Sequence, residues 1–428
     1  MSSIIVRVAG AALLGGLLAT ACVAADDALP TDPTAGNGIL PAPSVWRVAP
    51  EPLDVAAAER QSEVDHYIAD QLYDGYAIVE TTQLYSGDLV DWVDPDSVPG
   101  SNVEPPPPIP ASELVTPPGV ELQRTELDDH PELRGPDGTI PFVRPRFADY
   151  VRGESGDADL GAYLARSEGG QPYGWNRLYA GYYKNVPNTM VAGYVDNLIG
   201  QVDWGTFSLI EVASICRGYD PPTTGELVGA VVSKDMANFY DDLLRVRVEF
   251  FAGGFARQGY NVGGWDGKVG GFVAAPGRPY GPNTPVTQSV VGSSQYESFF
   301  KIQYYGGNWW IAHNGNWLGY YPAGLFNQMR SQGCTAAWYG EVYDPTPTDW
   351  TTTDMGSGYY AAYGYRKAAY VRDPYYANAS GAWWADGATV MGPSDPACYT
   401  DTSMYSAAAP WERYFYLGGP GGNAWNCY

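Results

Sequence analysis

Glu341 sits at the centre of an apolar stretch, TAAWYGEVYD (335–344), where an unpaired carboxylate is costly unless it has a partner or a chemical task. Two carboxyl groups held close in a partly desolvated cleft cannot both ionise easily, so one keeps a proton while the other acts as a base. Such a pair can hydrolyse a peptide bond with no metal or organic cofactor. The ionised member takes a proton from the attacking water, and the protonated member hydrogen-bonds the carbonyl oxygen as charge builds on it. Other chemistries lack their parts. The chain has three histidines, and only His313 lies in its C-terminal body, in the loop-like HNGN, where it reads as a turn residue rather than a base. No G-x-S-x-G elbow, H-E-x-x-H or P-loop occurs, and the GSG of 356–358 reads as a tight turn. The absence of a C-x-x-C argues against a structural zinc site, and no metal ligand set is expected.

The elements that would have to hold Glu341 are strands. Glycine and proline supply 52 and 35 of 428 residues, aromatics 14% and charged residues 17%, a composition suited to short strands joined by turns. Strand-like stretches such as FSLIEVASI (207–215), RVRVEFF (245–251), SFFKIQYY (298–305) and AAYVR (368–372) alternate with Gly, Asn and Asp turns. The expected fold is all-β, an antiparallel β-sandwich over 166–428, with its cleft on the concave face of one sheet. Residues 55–76 form the one clear helical pattern, with Val64, Tyr67, Ile68 and Leu72 on one stripe. The proline run at 105–108 reads as an extended, accessible linker.

A net charge of −24 argues against nucleic acid and anionic membrane as partners. Arg7 followed by AGAALLGGLLATA (9–21) reads as an export signal ending near Ala25, with Cys22 in an imperfect lipoprotein box as the competing interpretation. No later segment is apolar enough to span a bilayer. Four cysteines then remain, and the expected disulfides are Cys216–Cys334 and Cys398–Cys427.

The order and wording of NWWIAHNGNWLGYYPAGLF (308–326), WYGE (338–341) and TTTDMGSGYY (351–360) resemble the C-terminal domain of the neprosin family, secreted glutamic endopeptidases that cleave next to proline. The resemblance is specific between about 299 and 370 and weaker at YSGDLVDWV (85–93) and DDHPELRG (128–135), which look like the family's propeptide region. It implies a proenzyme active in acid, with residues 26–165 as a partly helical, proline-rich pro-segment ahead of the catalytic sandwich. It makes Glu341 one catalytic glutamate, by the match of WYGE to a W-G-G-E segment. The second is expected at Glu226, in TTGELVGAVVSKD (223–235), although the family's I-E-A-G-W context is broken there. Glu211 and Glu249 remain alternatives. Trp309, Trp338 and Tyr339 are the candidates for contact with substrate, against the plainer role of packing. The expected partners are proline-containing peptides, met by a monomer.

Two other classes use the same residues. A glycoside hydrolase also works with paired carboxylates on an aromatic-lined β scaffold. A secreted, non-catalytic binding module would need no second carboxylate.

Overall fold

Unbroken runs of Val, Ile, Leu and Ala, such as LVGAVV (227–232), belong in strands covered on both sides. The computed structural model describes residues 53–156, 159–163, 177–216, 225–236, 238–239, 241–252, 262–265, 271–344, 351–392 and 396–422. Two sheets dominate it. In the seven-stranded sheet the order is Val262–Trp265, Arg245–Ala252, Glu226–Asp235, Phe207–Cys216, Gly333–Tyr343, Arg177–Asn188 and Thr389–Val390, every pairing antiparallel. The eleven-stranded sheet is centred on Gln295–Tyr305, Met190–Asp196 and Ala369–Asn378.

The core lies between the sheets. Ile210, Val212, Val228, Val246 and Trp338 from the first pack with Val191, Val195, Phe300, Ile302, Trp309 and Ile311 from the second, all buried. The all-β sandwich expected from composition is therefore the observed architecture. Cys216 and Cys334, at neighbouring strand ends, form a disulfide. Cys398 is also disulfide-bonded, and its expected partner Cys427 lies outside the described residues.

The N-terminal region is a helix, Val55–Tyr67, capped by Asp54, and a small sheet of Ile78–Gln83, Leu89–Val93 and Ile140–Val143. Val64 and Ile68 pack on Phe147, Tyr150 and Tyr163. This region is fastened to the body. Val120–Leu122 pairs in parallel with Gln295–Tyr305, and buried Asp88 accepts from Arg245 at 2.6 Å and pairs with Arg146 at 2.7 Å. The proline-rich segment, expected as a free linker, has no regular secondary structure but lies along the sheet. Tyr320 donates to the Gly100 carbonyl (2.9 Å), Trp317 donates to that of Pro107 (3.3 Å), and Ile109 is buried. Ring faces on the sheet give the prolines an apolar surface to cover, which a solvated linker lacks. The export signal, Cys22 and the expected boundary near 165 lie outside the described residues. Among the described residues no helix is long and apolar enough to cross a membrane.

Candidate active site

Side chains alternate across a strand, and residues directly opposite on neighbouring strands share a face. Register therefore sorts every acidic residue of the seven-stranded sheet. Glu341 is opposite Leu209, two positions from Glu211, which lies opposite Tyr339 on one side and Val231 on the other. Gly229, two positions from Val231, lies opposite Glu249. Glu211, Glu249 and Glu341 consequently occupy one face, the one turned away from the inter-sheet core. Tyr343 is opposite Arg177, which brings Arg177 to the same face.

The three carboxyls form one electrostatic unit. A Cβ added to Gly229 would overlap Glu211 Oε1 and stand 3.0 Å from Glu249 Cγ, so both neighbouring glutamates reach over the glycine. Each carboxyl therefore acts directly on the other's protonation. Burial pushes Glu211 up to about 8, against a lowering influence of the Glu249 carboxyl beside it, with the Glu341 charge adding to the rise. Burial and then the Glu211 charge hold Glu249 well above the ordinary carboxylate range. Two carboxyls in this position hold at least one proton through neutral pH. Burial raises Glu341 too, but Arg177 opposes it, donating from Nη1 to Glu341 Oε1. The Arg177 guanidinium is flanked by the rings of Phe207 (5.5 Å) and Tyr343 (5.3 Å). The unit thus combines a proton-bearing pair with a third carboxyl whose anion Arg177 favours against the effect of burial. Among the described residues no group of three or more His, Cys, Asp or Glu is arranged to hold a metal ion.

The structure does not bring Glu226 to Glu341. Glu226 is opposite Cys216 and shares the parity of Val228 and Ala230, so it faces the core side of the sheet. The offset of seven positions from Leu209 to Cys216 puts it roughly 20 Å along the strands from Glu341. Its carboxylate accepts from the backbone N–H groups of Asn327 (2.6 Å), Gln328 and Met329 (both 2.8 Å), closing the turn at 327–329. Trp309 and Trp338 are likewise fully buried between the sheets, donating to the carbonyls of Met329 (2.7 Å) and Ala192 (2.9 Å). Of the three aromatic candidates the structure places Tyr339 alone on the glutamate face, directly opposite Glu211 on the neighbouring strand. His313 ends the strand Asn308–His313, buried against Tyr280 (3.0 Å) and Gln123 (3.4 Å), and burial depresses it to about 3.

Arg177 and Gly229 drew no attention in the sequence. Arg177 opens a strand among ordinary surface-like residues, and its importance follows only from register. Gly229 carried a signal, a glycine within a run of β-branched residues, which marks close approach of another group.

Residues 232–420 match the family model described as Neprosin, a span that contains Glu249 and Glu341 and begins after Glu211. Among solved structures the chain is similar to the crystal structure of scytalido-glutamic peptidase with a peptide-based transition-state analogue. The identity is 7% and the TM-score 0.29, over 57% of this chain and 98% of that one.

Proposed function

From the match of residues 232–420 to the Neprosin family model we propose that this chain is a secreted glutamic endopeptidase of that family, cutting peptides next to proline in acid. The observation that carries the chemistry is the convergence of Glu211, Glu249 and Glu341 on one sheet face, with Arg177 on Glu341. In this reading the reacting pair is Glu211 and Glu341. Glu341, kept anionic by Arg177, takes a proton from water as the hydroxyl adds to the scissile carbonyl carbon. Protonated Glu211 donates to the oxygen that becomes negative, and Glu249 supports it from behind. Collapse of the tetrahedral species breaks the C–N bond, and Glu341 passes its proton to the departing nitrogen. Tyr339, beside Glu211, is placed to touch substrate.

Two observations support synthesis as a proenzyme. The three glutamates are 0%, 3% and 4% exposed, so substrate needs an opening that the described arrangement lacks. Arg245 shares their face, since it is opposite Ser233, which is opposite Leu209. Its partner Asp88 thereby anchors the N-terminal region beside the site.

The test is cleavage of a proline-containing peptide mixture, read by mass spectrometry from about pH 3 to 8, before and after removal of the N-terminal region. Cuts beside proline that vanish in Glu341→Gln and Glu211→Gln are expected. A Glu211→Gln protein that cleaves like the parent would overturn the pairing, and cleavage of polysaccharide alone would overturn the peptidase.

A further inference from the structure

A large cavity lies far from the glutamates, on the outer face of the eleven-stranded sheet, with the whole inter-sheet core between them. It measures about 1090 Å³. One feature of its wall is out of the ordinary. The strand Ala369–Asn378 loses register against Met190–Asp196 between Arg372 and Tyr375, and the extra residue, Asp373, takes φ +49° ahead of Pro374. A residue before proline is normally extended, and a non-glycine residue in the left-handed region is strained unless its surroundings hold it there. Bulges of this kind re-aim a side chain.

The side chain re-aimed is a carboxylate on the cavity wall. Asp373 is 9% exposed. Its Oδ2 accepts from Arg372 Nη1 at 2.6 Å, while its Oδ1 completes no hydrogen bond with the protein. A buried carboxylate oxygen without a donor is costly and asks for a partner. Arg372 has no capacity to spare, since it also donates to Glu297 and to the carbonyls of Val115 and Pro410. Around Asp373 the lining is aromatic and acidic. Tyr375 and Trp384 meet edge to face at 5.9 Å, and Trp384 is 37% exposed. Glu113, Asp386 and Glu412 join Asp373 on the wall; Glu113 is bound to Lys301 at 2.8 Å and Asp386 to Arg413 at 2.6 Å, while Arg372 is shared between Asp373 and Glu297, so the carboxylates still outnumber the cations.

We propose that this cavity is an exosite for the basic side chain of a peptide, whose ammonium or guanidinium donates to Asp373 Oδ1 while its stem lies on Trp384 and Tyr375. A cation supplies the missing donor, offsets the surplus of carboxylates and suits the faces of aromatic rings. A sugar could stack on the same rings but would leave the charge of the wall uncompensated. Burial pushes the Asp373 carboxyl up to about 7 against the pull of Arg372, so a proton competes with the cation for it. Binding therefore strengthens as pH rises from about 6 to 8. The site is independent of the peptidase chemistry, and a residue held here cannot be the one positioned at the glutamates.

Titration of the full chain with a capped glycine–lysine–glycine tripeptide, followed by tryptophan fluorescence, tests the assignment. The norleucine counterpart and a neutral oligosaccharide serve as comparison probes. Saturable binding of the lysine peptide is expected, weakened about tenfold or more by Asp373→Asn and by Trp384→Ala. Asparagine tolerates the left-handed backbone, so the first variant keeps the bulge, and Trp384 is exposed, so the second should keep the fold. No saturable lysine-peptide binding, equal binding of the norleucine peptide, binding of the oligosaccharide alone, or unchanged affinity in both variants would each overturn it.

Discussion

Glu211 and Glu249 meet over Gly229, reaching toward each other from the strands on either side of it. Neighbouring carboxyls of like charge repel, so a shared proton is the condition of this arrangement. The glycine is its steric condition, because any side chain on the middle strand would stand where the two carboxyls converge.

Gly229→Ala should therefore damage the site more than the fold. The new methyl overlaps Glu211 Oε1, a movable end, in a strand that alanine enters without strain. A loss of about 1–3 kcal/mol in stability is expected, together with a fall in kcat of about tenfold or more. Thermal unfolding and steady-state rates on one preparation measure both. Full activity in a stable Gly229→Ala protein would show that contact between the pair is dispensable.

The buried glutamates also set the pH dependence of stability. Glu211 is raised to about 8 in the folded chain, whereas in the unfolded chain it titrates near 4.5. Between these values the folded state holds more protons than the unfolded state, so stability falls as pH rises. Glu249 acts in the same direction. The melting midpoint should decline from about pH 5 to pH 8, and Glu211→Gln should remove much of the decline. A flat parental profile, or an unaltered slope in the variant, would show that the pair is not protonated as described.

Much of this was legible in the sequence, though unevenly. Composition carries the sandwich because turn formers and β-formers alternate along the chain. Glu341 stands out because an acid in TAAWYGEVYD has nowhere apolar to go. Its partner is invisible for a geometric reason. Glu226 and Glu211 both begin or occupy apolar strands, and only register shows that Glu226 shares a face with the core residues Val228 and Ala230, while Glu211 shares one with Glu341. The same alternation sends Trp338 into the core and its neighbour Tyr339 outward.

Glu226 should prove structural. Its carboxylate closes the turn at 327–329 through three N–H groups, and glutamine offers them one carbonyl oxygen in place of two. Glu226→Gln should cost about 1–3 kcal/mol and leave kcat of the folded enzyme near the parental value. Denaturant melts and active-site-normalised rates separate these effects. A stable but inactive Glu226→Gln protein would return this residue to the catalytic pair.

Arg177 offers the sharpest test of which carboxylate is the base. Burial raises Glu341, and the Arg177 guanidinium is what opposes it. With Arg177→Gln only the raising influence remains, so Glu341 holds its proton to higher pH and the base is lost from the acid side. The acid limb of kcat/KM against pH should move upward by about 1 unit or more, with activity recovering toward neutral pH. Arg177→Lys, which keeps a cation, should restore part of the shift. A merely structural role would lower activity equally at every pH, so a uniform loss with an unmoved limb would rule out the assignment of Glu341 as the base held by Arg177.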